Sequence, residues 1–127
     1  MKSIWVVDDD EEMAGAIRLM LRLLGYENTR HFLSARPAAQ ALLSGEKPDL
    51  MILDINMPEV TGIDFLEFLR RRTEGKNLPV VMLSTEAADV MVDKAISIGA
   101  DAYVTKPVAI EELEAAMEKA FKAHGVK

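Results

Sequence analysis

Four stretches of this sequence place a reactive oxygen or nitrogen at the end of an apolar run. Leu50-Met51-Ile52-Leu53 ends on Asp54, with Ile55-Asn56-Met57-Pro58 after it. Ile4-Trp5-Val6-Val7 ends on Asp8-Asp9-Asp10, Val80-Val81-Met82-Leu83 on Ser84-Thr85, and Ala102-Tyr103-Val104-Thr105 on Lys106-Pro107. Short continuous apolar runs read as strands buried on both faces. An acid closing such a run lies where a parallel sheet stops and its loops begin, the place where ligands bind in open α/β sheets. Taken alone, Asp54 also reads as a helix N-cap or a solvated turn acid. The other three stretches weigh against that.

Parallel strands point the same way, so these four ends share one edge of a sheet. That edge gathers Asp8, Asp9, Asp54, Ser84 and Lys106. Two like charges ~4 Å apart repel by about 4 kcal/mol at an effective dielectric of roughly 20. A hard divalent cation removes the conflict, and oxygen-only ligands suit Mg²⁺. Lys106 brings a compact positive charge able to pair with Asp54 or with a phosphate placed on it. Ser84 brings a hydroxyl donor. An acceptor carboxylate, a metal and two donors are the parts needed around a transferring phosphoryl group.

The elements that position these residues alternate strand and helix five times. After the first strand, Asp9 or Asp10 can cap a helix, and Glu11 and Glu12 suit its positive end. Met13, Ile17, Met20, Leu21 and Leu24 share one face of it, with Glu11, Arg18 and Arg22 opposite, and Gly25 ends it. Leu19 and Leu23 fall outside the stripe and are expected to pack on a neighbouring helix rather than form a dimer patch. Residues 28–32 form a weaker strand, polar enough for a sheet edge. Ser34 or Arg36 opens a short helix with Pro37 in its first turn, ending near Leu43. Residues 61–73 read as a helix with Ile63, Leu66 and Leu69 inward. Residues 88–98 are another, stopped by Gly99, and residues 110–124 a last one burying Ile110, Leu113, Met117, Ala120 and Phe121. This alternation predicts a parallel sheet covered by helices on both faces and joined by right-handed crossovers.

The bulk numbers suit one soluble domain over residues 1–127. Half the residues are apolar and 28% are charged. A net charge of −6 argues against nucleic acid as a direct partner. Arg70-Arg71-Arg72, in the last turn of a helix, are explained by the helix dipole and by solvent. The absence of cysteine excludes disulfides and thiolate metal sites. No secretory segment is visible and no apolar run approaches membrane-spanning length, so a cytoplasmic protein is expected. His31 and His124 are expected to face solvent, away from the acidic edge. The eight methionines all suit core or loop positions.

The four motifs in order, Val6-Val7-Asp8-Asp9, Leu53-Asp54-Ile55-Asn56-Met57-Pro58 with Gly62, Leu83-Ser84-Thr85 and Tyr103-Val104-Thr105-Lys106-Pro107, resemble those of the receiver domain of two-component response regulators, chemotaxis receivers in particular. The resemblance covers essentially the whole chain. It implies a flavodoxin-like (βα)5 fold with strand order 2-1-3-4-5, an order the residues alone do not supply. It implies that Asp54 accepts a phosphoryl group from the phosphohistidine of a sensor histidine kinase or histidine phosphotransfer protein. Asp8 and Asp9 would hold Mg²⁺ or Mn²⁺, directly or through water, with Asp54 and the backbone carbonyl of Asn56. Ser84 stands at the switch hydroxyl, Tyr103 at the switch aromatic and Lys106 at the family's lysine, with a cis Lys106–Pro107 bond. Tyr103 also reads as a fixed edge-strand aromatic. Asn56 and Glu86 occupy positions that tune phosphoryl lifetime, which their types suggest is short.

Two positions depart from the family pattern. Thr61 stands where aspartate is common, which bears on helix capping, and serine replaces the commoner threonine at 84, losing a methyl. Output is expected from the helix over residues 88–98, the strand after it and the last helix, toward a downstream partner, an attached output domain or a second copy. Val90, among Asp93, Lys94 and Ser97, is either a contact there or a lone exposed valine. A pseudo-receiver regulated without phosphate is opposed by the intact acid, hydroxyl and lysine set. A metal-dependent phosphohydrolase would want a second acid where Asn56 stands, so no catalysis beyond the domain's own phosphorylation and dephosphorylation is expected. No output segment follows the last helix, which fits either a stand-alone regulator or the receiver part of a longer one.

Overall fold

Each apolar run becomes a strand and each amphipathic stretch a helix. The computed structural model describes residues 2–85 and 89–126, with the backbone alone for Asp89, Val90 and Met91. In chain order the elements are β1 (Ser3–Val7), α1 (Glu11–Leu23), β2 (Asn28–Phe32), α2 (Ala35–Leu43), β3 (Leu50–Asp54), α3 (Gly62–Arg71), β4 (Val80–Ser84), α4 (Asp89–Ile98), β5 (Ala102–Thr105) and α5 (Ile110–Ala123). The strands form one parallel sheet in the order β2-β1-β3-β4-β5. This is the flavodoxin-like arrangement. No helix among the described residues is long and apolar enough to cross a membrane.

The sheet separates two apolar layers. Trp5, Val7, Met51, Leu53, Val80 and Met82 face α2, α3 and α4, whereas Ile4, Val6, Leu50, Ile52, Val81 and Leu83 face α1 and α5. Every residue of β3 and β4 is buried, because helices cover both of their faces. Of the two possible first caps, Asp10 is the one used: its side chain accepts from the amides of Glu12 and Met13. Thr61 caps α3 through the Asp64 amide, so that helix starts one residue later than expected and also ends earlier, at Arg71. The expected start of α4 at Ala88 lies outside the described residues.

Three expectations are corrected. Leu19 and Leu23 are 56% and 71% exposed rather than packed on a helix. With only α1 and α5 on their side of the sheet, the flank of α1 beyond the β2 edge has no helix to receive them. His124 does not face solvent freely, since its Nε2 lies 2.9 Å from Asp101 Oδ2. Arg70 is the largest departure. Its guanidinium donates from Nε and Nη2 to the Gly99 carbonyl at 3.0 and 2.8 Å, and from Nη1 to the Gly75 and Leu78 carbonyls at 2.8 and 2.7 Å. It also pairs with Asp101 at 3.1 Å, and Asp101 in turn accepts from the Val80 amide.

Arg70 thus ties the end of α3 to the entries of β4 and β5. Burial pulls its pKa below the ordinary arginine value while Asp101 opposes that shift. Replacing Arg70 with Met removes the guanidinium from the Gly99, Leu78 and Gly75 carbonyls and from Asp101, leaving Gly75 the Leu78 amide and Asp101 the Val80 amide and His124. The expected loss is about 3 kcal/mol of unfolding free energy in urea titration, with Lys recovering only part because one ammonium cannot span the same fork of acceptors.

Candidate functional site

The backbone of the site is an extension of the sheet. Beyond the last paired residues, the Asp8 amide donates to the Phe32 carbonyl at 3.0 Å, the Ile55 amide to Leu83 at 2.8 Å and the Lys106 amide to Ser84 at 2.7 Å. Side chains leaving these positions are therefore held by backbone pinned to a neighbouring strand. Among the described residues, the fully buried polar side chains are Asp8, Asp54 and Ser84, and all three stand at this one edge.

Lys106 reaches between the two buried acids. Its Nζ lies 3.3 Å from Asp8 Oδ2 and 3.4 Å from Asp54 Oδ1. The Asp10 amide donates to Asp8 Oδ1 at 3.0 Å and the Asn56 amide to Asp54 Oδ1 at 3.3 Å. Asp8 Oδ2 is buried without a hydrogen-bond partner among the described residues, and the ammonium of Lys106 is the opposite charge beside it. Asp9 is exposed, yet one oxygen from each of Asp8, Asp9 and Asp54 falls within 4.8 Å of the others. Burial, and next the charge of Asp8, push the Asp54 carboxyl up to about 6, against the lowering effect of Lys106 and the Asn56 amide.

These features fit a hard divalent cation. All the ligands are oxygens, one of them is buried without a hydrogen bond, and three carboxylates against one ammonium leave an excess equal to one divalent charge. Ser84 ends β4 opposite Thr105, and Tyr103 is half-buried beside Met82 at the rim of the core. Asn56 is exposed at the start of the loop after β3. The Lys106–Pro107 peptide is cis. Glu86 and the Val90 side chain lie outside the described residues.

The loop from β3 to α3 folds tightly against the acceptor strand. The Gly62 amide donates to the Ile55 carbonyl at 2.9 Å. A Cβ at position 62 would collide with the Asp54 carbonyl and lie 2.7 Å from Ile55 Cα. The motif's glycine is thus required by close backbone approach. A residue missed by sequence reasoning also lies here: His31 Nε2 is 2.7 Å from the Asp8 carbonyl oxygen. The expectation of a solvent-facing ring remote from the acids is wrong, because β2 pairs with β1 in a register that sets His31 beside Val6, two residues before Asp8. That register was not readable from a weak, polar edge strand.

The family model for the response regulator receiver domain matches residues 4–118. The chain belongs to this family. It is 37% identical over 119 residues to the chemotaxis protein CheY of Pseudomonas aeruginosa, covering 94% of this chain and 95% of that one. It is 30% identical to the phosphate regulon transcriptional regulatory protein PhoB of the same organism, covering 98% of this chain but 53% of that protein. A solved structure of the Vibrio cholerae chemotaxis protein CheY4 superposes with a TM-score of 0.83 at 28% identity, covering 94% of this chain and 98% of that one.

Two outcomes follow from this geometry. Because the raised Asp54 pKa means that the folded state binds more protons than the unfolded state between about pH 4 and 6, this group makes stability fall as pH rises through that window. In chelator, Asp54→Asn should therefore be more stable than wild type by about 2–3 kcal/mol above pH 7, the difference shrinking toward zero below pH 4, as read by urea unfolding across pH. Gly62→Ala should cost about 3 kcal/mol or more in the same measurement, since the nearest obstacles are backbone atoms that cannot swing aside.

Proposed function

We propose that this receiver domain is a phosphorylation switch with Asp54 as acceptor. The observation that carries the reading is Asp54 at the buried sheet edge with Lys106 Nζ 3.4 Å from its Oδ1 and the Asp8 and Asp9 oxygens alongside. Asp54 Oδ1 is engaged by Lys106 and the Asn56 amide, so the other carboxylate oxygen is assigned to attack phosphorus. A P–O bond forms there as the P–N bond of the donor phosphohistidine breaks, and the bonding pair leaves with the imidazole. Asp8, Asp9, Asp54 and the Asn56 carbonyl would hold Mg²⁺ or Mn²⁺, which would supply positive charge for the phosphoryl oxygens. Lys106 stabilises the same charge from the other side, and Ser84 donates its hydroxyl to one of the new oxygens.

The transferred group adds about −1.5 to −2 charge beside an already acidic edge. Drawing Ser84 toward it opens space beside β4 that Tyr103 can enter, which biases the α4/β5/α5 face between two packed arrangements. The phosphoryl donor is a sensor histidine kinase or a histidine phosphotransfer protein. The output is a partner protein, an attached domain or a second copy of the chain. Asn56 and Glu86, two residues beyond Asp54 and Ser84 in the sequence, set the phosphoryl lifetime on the short side. The domain catalyses only its own phosphorylation and dephosphorylation, and it works in the cytoplasm.

Incubation with acetyl phosphate and Mg²⁺ should add about 80 Da to the intact mass of the wild type, the mass of one phosphoryl group. Asp54→Asn or addition of chelator should abolish the adduct, and Lys106→Met should slow its appearance at least tenfold, roughly 1.4 kcal/mol of barrier. An unmodified wild type under excess donor and metal would instead favour an interaction module regulated without phosphate.

A further inference from the structure

His31 lies outside every motif of the site and yet touches it. Its Nε2 is 2.7 Å from the carbonyl oxygen of Asp8. A carbonyl only accepts, so Nε2 carries the hydrogen and donates it. The ring is partly buried, and β2 holds its backbone: Asp8 itself donates from its amide to the carbonyl of the next residue, Phe32, at 3.0 Å. The backbone of Asp8 is therefore grasped at both its amide and its carbonyl by consecutive residues of one strand.

This grip matters because the Asp8–Asp9 peptide connects the two acids. Fixing the plane of that peptide fixes where the Asp9 Cα lies and so limits the space its exposed side chain can sweep. It also limits how far Asp8 can rotate away from Lys106 and Asp54. Like charges at this spacing would otherwise drive the β1–α1 loop apart, since separation lowers their repulsion. We propose that His31 is a positioning residue for the divalent cation site. It holds the Asp8–Asp9 backbone so that the three carboxylates remain converged in the metal-free protein. The inference rests on the reading of Asp8, Asp9 and Asp54 as Mg²⁺ ligands.

Partners that orient metal ligands typically change metal affinity by about 10–100-fold when removed. His31→Gln keeps an N–H at a reach close to that of Nε2, whereas His31→Met keeps bulk and loses the donor. Mg²⁺ titration by calorimetry, with melting in chelator measured alongside, separates the cases. The expected result is a Kd within threefold of wild type for His31→Gln and weakened about tenfold or more for His31→Met, the lower end of that range. If the Met variant does not fold, His31→Thr, too short to reach the carbonyl, takes its place with the same expectation. Equal affinity in all variants, or equal weakening in Gln and Met, would overturn the positioning role while leaving the metal site intact. A wild type that binds no Mg²⁺ would overturn the metal reading and this inference with it.

Discussion

Two carboxylates, Asp8 and Asp54, are buried side by side and share one ammonium. Burying a charge is costly unless it is paired, and here the pairing is incomplete. The site can exist because its members are delivered by the ends of β1, β3 and β5 in one sheet whose ladder continues one residue into the loops. The apolar layers on both faces of the sheet supply the stability against which this local charge excess is held. Asp54 accordingly retains its proton to an unusually high pH. A divalent cation at this point would add the positive charge that the paired acids lack.

The two ends of the sheet are built differently. At the carboxyl end, charge is concentrated and only partly answered. At the opposite end, Arg70 satisfies three carbonyls and Asp101, while His124 approaches Asp101 from the end of α5. The close of α4 at Gly99 is thereby tied to α3, whereas the β4 strand that precedes α4 ends on Ser84. Gly62 completes the frame by letting the start of α3 lie against the acceptor strand without intervening atoms.

The polar contacts around the acids are graded by what they can repair. Backbone amides of Asp10 and Asn56 each answer one oxygen, and Lys106 answers one on each acid. His31 acts on the backbone instead and leaves the carboxylate oxygens open. The resulting oxygen surface is held in shape without being neutralised, which is the property a site for a hard cation needs.

Sequence alone determined the alternation of strands and helices, the parallel sheet and the convergence of Asp8, Asp54, Ser84 and Lys106 on one edge. These were legible because fully buried parallel strands announce themselves as apolar runs, so their terminal residues stand out by type. The strand order came from family resemblance, since nothing local encodes which strand lies beside which. Tertiary structure decided the rest. Arg70 reads as a solvated helix end until the loops before β4 and β5 bring their carbonyls to it. Leu19 and Leu23 read as packing residues until α1 proves to have no helix beyond it on that flank. His31 reads as an edge-strand polar residue until the register of β2 on β1 places its ring at Asp8. The contacts of His31 with Asp8 and of Arg70 with Gly99 and Asp101 join segments distant in sequence, and the exposure of Leu19 and Leu23 depends on which helices lie beside α1; periodicity, which reports only the face of a single element, carries no information about either.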